Sequence, residues 1–136
     1  MKRILNIIVC LLLLSCYSNE GKDDIINEIE SNIKIKLPKN IRIISNKTDG
    51  AIGDYTSISK FEITDKASLT ELICNIKKSK VYFNQFPGSI PHDTEYYFWY
   101  RDEQNYIYEN NGNGSKQISL ILDTITGIAQ FSLHED

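Results

Sequence analysis

Histidine, cysteine and proline are scarce in this chain, and each scarcity removes a class of chemistry. Its 136 residues hold two histidines, three cysteines and three prolines. Neither His92 nor His134 has a second His or Cys at ligand spacing, so the three or four converging donors of a metal site are missing and no metal or other cofactor is expected. No apolar run reaches the roughly 18 residues that a membrane-spanning helix needs. Charge of one sign is not in excess either: 15 basic side chains face 18 acidic ones, a net charge of -3. That gives no basic surface for nucleic acid. No internal repeat is visible, and 136 residues suit one domain.

What is present begins at the N-terminus. Lys2 and Arg3 precede an apolar stretch, residues 4–14, interrupted only by Asn6, and the small Ser15 stands before Cys16. A positive start, a core of about 11 apolar residues and a small residue form the layout of an export signal, whose core spans roughly 7–15 residues. Such a segment can insert into a bilayer but is too short to cross it comfortably.

Leu13-Leu14-Ser15-Cys16 resembles the lipobox of bacterial lipoproteins. The resemblance covers residues 1–16 and implies that residues 1–15 are a signal peptide, that Cys16 carries a fatty acyl lipid of the palmitate kind, and that the rest lies outside the cytoplasm. Tyr17 stands where an Asp would favour retention in the inner membrane. By that family rule the outer membrane is expected if the cell has one, with the domain in the periplasm or at the surface. Loss of Lys2 and Arg3 takes the 15 basic side chains to 13 against 18 acidic, a formal charge of about -5. A domain of that sign is repelled by an anionic bilayer, so membrane attachment rests on the lipid alone. Cys10 leaves with the leader and Cys16 is acylated, which leaves Cys74 unable to form an intramolecular disulfide; it reads as a small half-buried apolar residue.

Residues 16–22 read as the lipidated cysteine and a short tether reaching about 20 Å. Residues 23–136 are then a single domain. Asp23 or Asp24 is placed to cap a helix bearing Ile25, Ile26, Ile29 and Ile33, which Pro38 excludes from continuing. A strand over residues 41–45 is followed by turn chemistry in Asn46-Lys47-Thr48-Asp49-Gly50, and a second strand is expected over residues 55–63, forming a hairpin. Thr64 and Asp65, or Ser68 with Glu71 as a capping box, open a helix whose Leu69, Leu72, Ile73 and Ile76 form one stripe and whose Lys77, Lys78 and Lys80 suit its C-terminus. Residues 86–93 hold Pro87-Gly88 and Pro91 and read as a loop. Four strands are expected at residues 95–101, 106–110, 117–122 and 128–133, joined by short turns. The order implies an α+β fold, a two-layer sandwich of a mainly antiparallel sheet with one or two helices.

No catalytic constellation is legible. His92 beside Asp93 has the chemistry of a base and its orienter but lacks a nucleophile in a recognisable turn. The stretch Asp49-Gly50-Ala51-Ile52-Gly53-Asp54 leads into a strand rather than a helix and carries no following Lys, so it reads as a hairpin loop, not a phosphate cradle. Asp49 and Asp54 remain candidates for meeting a partner's basic group or a cation. Asn110-Asn111-Gly112-Asn113-Gly114 lacks the carboxylates of a calcium loop.

The densest feature is Tyr96-Tyr97-Phe98-Trp99-Tyr100, followed by Tyr106 and Tyr108. Alternation puts Tyr97 and Trp99 on one face and Tyr96, Phe98 and Tyr100 on the other. If helices cover Phe98, then Tyr97 and Trp99 point outward, and aromatic side chains of this kind are enriched at recognition surfaces. Cross-strand packing is the other use of such rings. The expected function is therefore that of a membrane-anchored, non-enzymatic protein-binding module, immunity to a secreted toxin being a concrete case. The alternatives are an enzyme or inhibitor acting on envelope substrates, or ligand or glycan binding on an aromatic sheet face.

Overall fold

The computed structural model describes residues 21–51, 53–88, 97–110 and 114–136. The signal segment, Cys16, the start of the tether, His92, Asp93 and Tyr96 lie outside the described residues, as do 111–113 of the Asn/Gly-rich turn.

Helix α1 spans Lys22–Ile33, and its buried Ile25, Ile29 and Ile33 recur every four residues. Gly21, not an aspartate, is its N-cap; Asp24 instead reaches back to accept from the Gly21 N–H at 3.2 Å. Lys34 closes the helix in the left-handed region at φ 58°, its N–H donating to the Glu30 carbonyl at 3.0 Å. Helix α2 spans Lys66–Lys78 and is opened by Asp65, the first of the two expected starts, rather than by Ser68: the Asp65 side chain caps it by accepting from the Ser68 N–H at 2.8 Å.

Seven strands form one sheet: β1 (Ile41–Ala51), β2 (Asp54–Ile63), β3 (Tyr82–Phe83), β4 (Tyr97–Asp102), β5 (Asn105–Asn110), β6 (Lys116–Asp123) and β7 (Ile128–Glu135). Their order across the sheet is β1-β2-β7-β6-β5-β4-β3, antiparallel throughout except for the parallel contact of β3 with β4. The N-terminal hairpin thus pairs with the C-terminal strand. The connection carrying α2 must travel from β2 to the far edge, five strand spacings or roughly 24 Å. Thirteen helical residues cover about 20 Å of that distance.

Both helices pack on one face, where Ile29, Ile33, Leu72 and Ile76 meet Phe61, Leu120, Leu122 and Phe131. The expected α+β sandwich is the observed architecture. Two local readings are corrected. Asn46 to Gly50 form strand, not turn: β1 pairs with β2 from Ile41 to Ala51, with a register shift between Ile43 and Ser45. The backbone ladder outweighs the turn preferences of Asn, Asp and Gly, and the bulge at Ile44 absorbs the extra residue. The reversal itself falls between the paired Ala51 and Asp54, with Gly53 at φ 104°. Cys74 is exposed on α2 rather than half-buried.

The aromatic faces are also the reverse of the expectation. Trp99 lies in one ladder row with Tyr108, Leu120, Phe131 and Ser59, all inward residues, so parity carries it beneath the helices. It is 1% exposed, with its ring 5.0 Å from that of Tyr108. Tyr97 stacks on Tyr108 at 6.0 Å and packs against the same core. Phe98 points to the other face, where Phe83, Phe86 and Tyr100 bury it.

Candidate functional site on the uncovered sheet face

Among the described residues no helix covers the second face of the sheet. Its rows can be read from the register. One runs Lys47, Ile58, Ser132, Ser119, Glu109, Phe98, and the next runs Asp49, Thr56, His134, Gln117. A groove of about 340 Å³ lies over these rows, lined by Thr56, Ile58, Glu109, Ser119, Ser132 and His134 among others.

At one end, Thr56 Oγ1 is 3.0 Å from His134 Nδ1, and His134 Nε2 is 2.8 Å from Asp136 Oδ1. A hydroxyl, an imidazole and a carboxylate in line have the outline of a nucleophile relay. The surroundings do not complete it. β2 and β7 are interior strands, with neighbours on both sides, so the amides flanking Thr56 and His134 are spent on the ladders and supply no cradle for a developing oxyanion. The row acts as a polar anchor.

At the other end sits Glu109, half-buried between Ser119 and Phe98. Burial raises its pKa above the ordinary carboxylate value, and a hydrogen bond from Tyr100 brings it part of the way back. Burial first, and the Glu109 charge second, push the Tyr100 hydroxyl up to about 12. Beyond it lies an aromatic cluster: the Phe86 ring is 5.9 Å from Phe98 and 5.2 Å from Tyr100. Cross-strand packing and a partly open aromatic edge are therefore both present, on different faces of β4.

A larger hollow of about 550 Å³ lies at the opposite pole, between the start of α2 and the β6–β7 turn. Two carboxylates at that pole, Asp65 in its lining and Asp123 at the end of β6 beside it, are already committed. Asp65 caps α2, and Asp123 accepts from the Ile125 N–H and the Thr126 hydroxyl, both at 2.8 Å. Hydrogen bonds to the charged form lower the pKa of each. Glu109 differs in having no cation and no backbone N–H as partner among the described residues.

Of the candidate residues read from the sequence, Asp49 is brought to the uncovered face opposite Thr56. Asp54, two residues before Thr56, shares its parity at the exposed hairpin end. Tyr97 and Trp99 are not brought there, and Trp99 is inaccessible to a partner. Thr56, Glu109 and His134 carry the groove and were not singled out. The available signal was parity: each alternates with residues that the fold buries on the helix-covered face. No group of three or more His, Cys, Asp or Glu side chains converges as for a metal among the described residues. No family model, curated protein or solved structure matches the chain. The fold and the groove together describe a one-sided α+β sandwich with an acidic, hydroxyl-lined sheet surface.

Proposed function

We propose that this chain is the precursor of an envelope lipoprotein, anchored through a lipid on Cys16, whose domain is a non-enzymatic module that binds another protein. The observation that carries the binding role is the uncovered sheet face. Ile58, Ile121 and Phe83 remain 40–45% exposed there, beside a polar groove, a mix of apolar and hydrogen-bonding surface that suits a protein partner. Asp49, Glu109 and Asp136 outnumber the nearby cations, so the favoured partner is basic, as a secreted toxin neutralised in the envelope would be.

Support for the anchoring comes from the leader. α1 begins at Lys22, and Glu28 on it reaches Tyr55 and Ser57 at the β1–β2 hairpin end of the sheet. A lipid at Cys16 then holds that end toward the bilayer, and the strands lead away from it. The uncovered face stands to the side, open to a soluble partner.

A photo-reactive amino acid in place of Ile121, in host cells, tests the binding face. The same probe in place of Glu71, on the outer side of α2, is the control. Protein adducts from position 121 and not from 71 are the expected result. Adducts from 71 alone, or from neither, would overturn the reading.

A further inference from the structure

We infer that the groove receives an arginine side chain of the partner protein and that Glu109 is the residue that selects it; this rests on the protein-binding reading above. Glu109 pairs across the ladder with Phe98 on one side and Ser119 on the other, so its carboxylate stands at the border of the aromatic cluster and the hydroxyl-lined groove. The groove's 340 Å³ is ample for one long side chain.

Among the described residues the fold sets no counter-charge beside Glu109: Lys60, on the same face, is three strands away. Lys47, in the same row, is four strand positions away, about 19 Å. Lys116 is 3.9 Å from Glu135. Arg101 has the opposite parity to Tyr100 and donates to the Glu103 carbonyl. A half-buried carboxylate left without a cation is an uncompensated desolvation cost, and a partner that brings a positive charge removes it.

The surroundings favour arginine over lysine. A guanidinium is flat and always charged, forms paired hydrogen bonds with a carboxylate, and presents its face to aromatic rings. Phe86, Phe98 and Tyr100, with ring centroids 5.2–5.9 Å apart, supply those rings beside Glu109. An ammonium is more strongly hydrated and gains less from such a wall.

The test is a nuclear magnetic resonance titration of the full lipidated chain in detergent with N-acetyl-arginine amide. N-acetyl-citrulline amide, its neutral isostere, is the control. The expected result is a saturable shift of Glu109, Tyr100 and Ser119 signals with the arginine probe only, weakened about tenfold or more in Glu109→Gln. Equal shifts with citrulline, no shift with arginine, or unchanged affinity in Glu109→Gln would each overturn the inference. The citrulline comparison uses the unaltered protein and does not depend on the variant folding. Adducts at position 121 with a silent arginine probe would sink this inference and leave the binding face standing. Absence of adducts would sink the binding face itself.

Discussion

The Glu28 carboxylate on α1 accepts a hydrogen bond from the Ser57 hydroxyl on β2 at 2.9 Å, and Ser57 has no solvent exposure. The second oxygen of Glu28 accepts from Tyr55, also at 2.9 Å. One side chain thus pins the first helix to the hairpin. Glu28→Ala should cost about 1–3 kcal/mol, because it strands a buried hydroxyl. Ser57→Ala, which removes the buried polar group as well, should cost less. Denaturant melts of the two variants give the comparison, and an equal or reversed order would contradict the role assigned to Glu28.

Trp99 and Phe98 are adjacent in sequence and buried on opposite faces, at 1% and 2% exposure. Trp99→Ala should destabilise by roughly 3–5 kcal/mol, as expected for removing a large ring from a core. The Trp99 Nε1 has no hydrogen-bond partner among the described residues. Trp99→Phe sheds that orphan donor along with some volume, and should cost clearly less than the alanine variant. Phe98→Ala should also destabilise, by opening the cluster with Phe83, Phe86 and Tyr100. A silent Trp99→Ala in thermal melts would contradict the assignment of faces.

Glu109 carries a raised pKa in the fold, chiefly from burial. The folded state then holds its proton to higher pH than the unfolded chain. Stability falls as pH rises from the ordinary value of 4.5 toward the raised one, and the penalty is complete above it. Glu109→Gln should therefore melt above the natural protein near neutral pH. The gap should close on acidification below about 4.5. A lower melting temperature for the variant at neutral pH would show that the charge stabilises the free domain.

Asp65 titrates in the opposite sense. Its backbone bond from Ser68 holds the carboxyl below its ordinary value of 3.8, so its contribution is present above that value and lost as pH falls through the depressed one. Asp65→Asn keeps a capping oxygen without the charge. It should melt below the natural protein near neutral pH and converge with it in strong acid. Parallel melting curves at every pH would contradict the capping account.

Most of the secondary structure was legible because its signals are local. Asp65 and the stripe of Leu69, Leu72, Ile73 and Ile76 mark α2, and alternation from Tyr55 to Ile63 marks β2 to within a residue of its observed start. Asn46 to Gly50 misled because turn preference is a property of five residues, whereas the ladder that overrides it is made with β2. β3 is two residues long and takes its identity wholly from β4. Parity correctly separated Trp99 from Phe98. Which of them went inside depended on Tyr108, Leu120 and Phe131, strands away, and no pattern within β4 records that. Glu109 was invisible for the same reason: its surroundings are set by neighbouring strands.

The claim that this domain works at a membrane rests on Cys16. Metabolic labelling with a palmitate analogue, comparing the natural chain with Cys16→Ser, tests it most directly. The account predicts a labelled, shortened mature protein from the natural chain and an unlabelled, uncut precursor from the variant. Equal labelling of the two, or no labelling of either, would contradict it.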